Sequence, residues 1–145
     1  MFKHILLPTD GSDLALRAVD TGIALAASLG ADVYALHVVA PFPAFSYMVD
    51  IVQANETFYL QEAIKQADAC LQEVHKRADI AGVSCKSEYV TDSRPYTAIV
   101  AAAARQGCDL IVMASHGLQG IDRLLLGSVT QKVLVGGEVP VLVCH

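Results

Sequence analysis

The residues whose types and spacing could do chemistry cluster between Val112 and Thr130, in the run V-M-A-S-H-G-L-Q-G-I-D-R-L-L-L-G-S-V-T. Asp109 to Met113 (D-L-I-V-M) reads as a fully buried strand that breaks into the small-residue turn Ala114-Ser115-His116-Gly117. Nine further residues separate that turn from Gly127-Ser128, which opens a helical pattern. Glycine at a strand exit or a helix start lets backbone approach backbone, or a ligand, with no Cβ in the way. The first amides of a helix lack intrahelical acceptors and attract anions. The spacing therefore predicts a nucleotide phosphate cradle, with the N–H groups of Gly127, Ser128, Val129 and Thr130 on the phosphates. Ser128 to Gln131 (S-V-T-Q) also has the form of a capping box. The hydroxyls of Ser128 and Thr130 are thus expected to be shared between helix end and ligand.

A second cluster follows the apolar stretch Phe2 to Leu7, in Pro8-Thr9-Asp10-Gly11-Ser12. Asp10 there is either a turn residue that helps to start a helix or a carboxylate for a ribose or a phosphate-bound Mg²⁺. His116 is a polar turn residue that could donate to a phosphate oxygen. Two familiar phosphate motifs are excluded. No Lys follows Gly127-Ser128 as a Walker A loop requires, and no G-x-G-x-x-G follows the first strand. No nucleophile, base and acid stand in a recognisable set, so the pattern favours binding over turnover. His4, His37, His75 and His145 have no metal-ligand spacing, and Cys70, Cys85, Cys108 and Cys144 form no C-x-x-C. The four cysteines are expected as reduced packing groups.

The elements that must position these residues alternate. After the first strand, Ser12 is a good N-cap, and Leu16, Val19, Ile23, Ala26 and Ala27 give a helical period that stops at Gly30. Val33 to Val39 is a second strand, and Leu60, Ala63, Ile64, Ala67, Leu71, Val74 and Ala78 trace one face of a long helix. Ser84 to Thr91 is a third strand. Pro95 opens a third helix that ends near Gly107, and Asp109 to Met113 is the fourth strand. Ser128 to Val135 is the fourth helix and Val139 to Val143 the fifth strand. Ala40 to Asn55, with its aromatics and prolines, reads as a long loop at the domain edge, a lid or a partner-facing patch. Apolar, non-alternating strands separated by helices mean an α/β domain, doubly wound around a parallel five-stranded sheet with helices on both faces.

Length and composition agree with one domain over residues 1–145. The formal charge of −5 and scattered Lys and Arg argue against nucleic acid. No apolar run approaches the ~18–20 residues of a membrane span, and only Ile5, Leu6 and Leu7 separate Lys3-His4 from Pro8. A cytoplasmic protein without membrane insertion is expected.

At these residues the chain resembles the universal stress protein family. The nucleotide-binding branch carries G-x2-G-x9-G-[S/T]; this chain has Ala114-x2-Gly117-x9-Gly127-Ser128, with Ala in the first place. The resemblance extends to His4–Ser12 (H-I-L-L-P-T-D-G-S), Leu36–Val38 (L-H-V) and Val139–Val143 (V-P-V-L-V). It implies a Rossmann-like sheet of order 3-2-1-4-5, whose switch point lies between strands 1 and 4. The exits there are Pro8-Thr9-Asp10 and Met113-Ala114-Ser115-His116-Gly117. It further implies ATP with Mg²⁺ in that crevice, Pro8, Thr9 and Asp10 at the nucleotide's edge and Val38 beside the adenine. A homodimer through Val139–Val143 is implied as well. The function read from this is a nucleotide-responsive stress module. The rivals are a non-nucleotide stress protein acting through protein contacts and a slow ATPase or self-phosphorylating protein.

Overall fold

Strand and helix alternate along the whole chain: β1 (His4–Pro8), α1 (Asp13–Leu29), β2 (Asp32–Val39), α2 (Val49–Ala81), β3 (Cys85–Thr91), α3 (Pro95–Arg105), β4 (Leu110–Ala114), α4 (Ser128–Gly136) and β5 (Val141–Cys144). These come from a computed structural model that describes residues 1–42, 49–116 and 126–145, with the helical backbone alone for 49–54. The strands form one parallel sheet of order β3-β2-β1-β4-β5, the expected order. β1 is therefore central: β2 and β3 are laid down on one side of it and β4 and β5 on the other.

Both faces of the sheet are covered, which explains why the central strands β1 and β4 do not alternate apolar with polar. Along β1, Ile5 and Leu7 enter one core with Val19 and Ile23 of α1 and Leu71 and Val74 of α2. Leu6 points the other way and meets Leu36, Ile99 of α3, Ile111, Met113 and Val133 of α4. Ser12 caps α1, its Oγ accepting from the Ala15 amide at 3.2 Å, and Gly30 ends the helix in the left-handed conformation at φ 65°. α1 also lies close on β1: a Cβ on Gly22 would stand 2.3 Å from Leu7 Cδ2.

Three expectations are corrected. The Ala40–Asn55 segment is not one loop, because α2 already begins at Val49; its remaining part, residues 43–48, lies outside the described residues. The prolines and aromatics that marked a loop end by residue 48, and V-D-I-V-Q-A-N carries no helix breaker. The apolar face of α2 is not buried throughout. Ala67, Leu71, Val74 and Ala78 are, whereas Leu60 and Ile64 are 38% and 40% exposed. A helix of 33 residues runs about 50 Å. Strands of 4 to 8 residues reach at most about 27 Å, so the helix overruns the sheet. Finally, β1, β4 and β5 end one residue later than expected and also start later. Asp109 leaves β4 to receive the Lys3 and His4 amides on its carboxylate at 2.9–3.2 Å. Pro140 lacks an amide proton for the ladder, and β5 starts after it.

Candidate functional site

At the carboxyl ends of β1 and β4, where the winding reverses, the chain leaves an open cleft of about 200 Å³. One wall is the β1 exit. The Thr9 amide donates to the Leu36 carbonyl at 2.9 Å, and Thr9 Oγ1 accepts from the Gly11 amide at 3.1 Å. Asp10 Oδ1 accepts from the Ser12 amide at 2.9 Å. His37 Nδ1 lies 3.0 Å from the Thr9 carbonyl, which can only accept, so that nitrogen carries the proton. Beneath the turn sits Cys70: a Cβ on Gly11, at φ 80°, would stand 2.6 Å from its Sγ. Burial, and then the Asp10 charge, push the Cys70 pKa up, which leaves a neutral packing group there.

The opposite wall is the β4 exit and the start of α4, which are tied together by their backbones. The Gly127 amide donates to the Ser115 carbonyl at 2.7 Å, and the Ser115 amide donates to the Cys144 carbonyl at 2.8 Å. A Cβ on Gly127 would stand 3.0 Å from the Ser115 oxygen and 3.3 Å from His116 Cα. Gly127 therefore permits the close approach of helix start to strand exit. Its φ of −60° needs no glycine. Ala114 fits its strand position without strain, since no described non-glycine residue has a positive φ.

The expected capping box does not form. Gly127, not Ser128, is the N-cap, no side chain caps α4, and Ser128 is an exposed first helical residue. Gln131 reaches past it to the Leu126 carbonyl at 2.8 Å. Nor is the Thr130 hydroxyl available as a phosphate ligand. It is buried and donates to the Ala114 carbonyl at 2.9 Å, with Ser115 O at 3.3 Å. What α4 presents is its first-turn amides, uncapped by any side chain, at the positive end of the helix dipole.

Of the residues singled out in the sequence, Pro8, Thr9, Asp10, Val38, Met113, Ala114, His116, Val129 and Thr130 line this one cleft. Gly127 and Ser128 are not among its lining residues, and Gly117 lies outside the described residues. Sequence reasoning missed Ala15, Leu36, Pro95 and Ile99, which add apolar wall. Leu36 was findable, because residues two apart on a strand share a face with Val38. Pro95 and Ile99 depend on where α3 packs, which no local pattern reports. Asp10 is the one carboxylate among the described lining residues. Mg²⁺ delivered with a nucleotide takes one or two protein carboxylates and completes its shell from phosphate and water, so Asp10 fits that ion. Among the described residues no group of three or more His, Cys, Asp or Glu is gathered as an autonomous metal site.

A doubly wound α/β domain with an anion-attracting helix start at its switch point defines a class of ligand-binding modules. Within that class the chain belongs to the Universal stress protein family, which it matches over residues 1–145. A universal stress protein of Methanocaldococcus jannaschii, MJ0531, is 35% identical over 144 residues, covering 99% of this chain and 82% of the relative. One from Thermus aquaticus is 36% identical over 143 residues, covering 98% of each. The solved structure of MJ0577 superposes with a TM-score of 0.83 at 30% identity, covering 99% of this chain and 96% of that one. A universal stress protein solved in complex with cAMP gives 0.73 at 31% identity, covering 99% and 97%. No described helix is long and apolar enough to cross a membrane.

Proposed function

We propose that this protein is a stress-response module that binds an adenine nucleotide, ATP with Mg²⁺, in the switch-point cleft. The observation that carries the reading is the pairing of this mostly apolar cleft at the switch point with the uncapped first turn of α4 at its edge. The apolar walls, Pro8, Leu36, Val38, Ile99, Met113 and Val129, suit a purine and ribose. The amides of Ser128, Val129 and Thr130 suit phosphate oxygens, and Asp10 suits a phosphate-bound cation. The cAMP complex of a relative at 31% identity supports the adenine nucleotide class. When bound, Mg²⁺ supplies charge neutralisation at the phosphates. Asp10 orients it, and the Thr9–Ser12 turn holds Asp10 in place. The reading is binding and signalling rather than turnover.

The test is the nucleotide content of the purified protein, released by acid and separated by chromatography, followed by calorimetric titration with ATP and Mg²⁺. Near-stoichiometric nucleotide, or saturable binding weakened at least tenfold in Asp10→Ala, is expected. A protein that is empty and takes up no ATP at millimolar concentration overturns the reading. We further propose that β5, the last strand of the sheet, which carries the part-exposed Leu142, pairs through its outer edge with a second copy. Sedimentation equilibrium should then give a dimer.

A further inference from the structure

We propose that His37 is a positioning residue for the ligand's cation: by holding the Thr9 carbonyl it fixes where the Asp10 carboxylate stands. This rests on the nucleotide reading above. The ring belongs to β2, which is paired on one side with β1 and on the other with β3. His37 lies in register with Tyr89 of β3, and its neighbour Leu36 is fully buried. A rigid part of the sheet therefore carries the ring. Its Nδ1 donates to the Thr9 carbonyl at 3.0 Å.

Thr9 is the residue at which β1 has ended and the chain turns along the cleft. Three bonds hold it. Its amide donates to the Leu36 carbonyl at 2.9 Å, its carbonyl accepts from the His37 ring, and its hydroxyl accepts from the Gly11 amide at 3.1 Å. Of these three, the ring bond is the one that acts on the peptide joining Thr9 to Asp10. A peptide unit is planar, so anchoring its oxygen also sets the Asp10 nitrogen and Cα. The Asp10 side chain is steadied in turn by the Ser12 amide, which donates to Oδ1 at 2.9 Å. Cys70 of α2 backs the turn at Gly11, where a Cβ would stand 2.6 Å from its Sγ.

Loss of the ring bond should be felt at the cation rather than at the base. Octahedral Mg²⁺ coordination tolerates little displacement of a carboxylate. Apolar contacts are non-directional, and the walls formed by Ile99 and Met113 stand on α3 and β4, away from the Thr9 peptide.

Two substitutions in the whole protein test the assignment. His37→Phe keeps a ring of similar size without a donor. His37→Asn places an amide N–H two bonds beyond Cβ, where Nδ1 stands. Both are titrated calorimetrically with ATP, once in Mg²⁺ and once in EDTA. In His37→Phe the affinity in Mg²⁺ should fall about fivefold to tenfold, while that in EDTA stays within about twofold. His37→Asn should recover most of the loss. In an Asp10→Ala background His37→Phe should change the affinity by less than about twofold, because the group it positions is gone. Without nucleotide, the Ser12 amide should exchange its hydrogen at least about tenfold faster in His37→Phe than in the unaltered protein. Equal losses with and without Mg²⁺, losses that add to those of Asp10→Ala, unchanged Ser12 exchange, or an Asn form as weak as the Phe form would each overturn the positioning role. An unaltered protein that binds no ATP overturns the nucleotide reading itself, and the positioning with it.

Discussion

Replacing Gly127 by Ala tests the idea that this glycine joins the two halves of the cleft. The added Cβ would stand 3.0 Å from the Ser115 carbonyl oxygen and 3.3 Å from His116 Cα. Those atoms cannot easily give way. The Ser115 carbonyl is held by the Gly127 amide at 2.7 Å and the Thr130 hydroxyl at 3.3 Å, and its own amide by Cys144 at 2.8 Å. Overpacking of this kind costs about 1–3 kcal/mol, offset by about 0.4–1 kcal/mol from the lower entropy of the unfolded chain. A net loss of about 1 kcal/mol is expected, with Tm falling by about 2–4 °C. Gly136→Ala is the control. Its Cβ meets nothing within 4 Å at the end of α4, so helix propensity and chain entropy should stabilise by up to about 1 kcal/mol. Urea unfolding followed by circular dichroism measures both. If Gly127→Ala matched or exceeded the unaltered protein in stability, the close approach would not be what requires glycine. Nucleotide affinity provides the second readout: a displaced α4 start should weaken ATP binding in Gly127→Ala and leave it unchanged in Gly136→Ala.

Thr130→Val removes the hydroxyl that ties α4 to the Ala114 carbonyl and should cost about 1 kcal/mol in urea unfolding. ATP affinity should change far less than in Asp10→Ala if the hydroxyl is structural. The Asp109 carboxyl is pushed up by burial, but the Lys3 and His4 amides that it accepts together outweigh this and hold its pKa below the ordinary value. A depressed folded pKa stabilises above the unfolded value of about 3.9 and ceases to as pH falls through the folded one. Asp109→Asn should therefore lose about 1 kcal/mol at pH 7, and the gap to the unaltered protein should close towards pH 2 in thermal scans. Burial, then the charges of Asp79 and Asp109 respectively, push the Cys85 and Cys108 thiols up to about 11. Iodoacetamide at pH 8 should alkylate both in the folded protein far more slowly than in urea, read by mass spectrometry.

Much of the architecture was legible before any coordinates. Ser12 and Gly30 bound α1 as their types require, and Pro95 opens α3. These signals are local: a cap or a fixed φ is complete within a few residues. The errors arose where a local signal met a distant constraint. Ser128-x-x-Gln131 has the letters of a capping box, yet Gly127 occupies the cap, where a residue without Cβ lies most easily against Ser115 and His116. Leu60 and Ile64 continue the apolar period of α2, but the sheet ends before it reaches them.

The site divides in the same way. Residue types and spacing singled out two glycine-bearing turns, one after the first strand and one around the fourth, as the parts expected to hold a ligand. The chain's apolar strands, separated by helices, determined a parallel sheet. Only the tertiary structure decided that Pro95 and Ile99 join those turns in one cleft and that the Thr130 hydroxyl is spent on a carbonyl. It also decided that His116 holds one ring nitrogen against the Ser115 hydroxyl, with the other buried and without a partner among the described residues. Those outcomes depend on distances between atoms far apart in sequence, set by sheet order and helix packing. A pattern read along the chain contains no such distances.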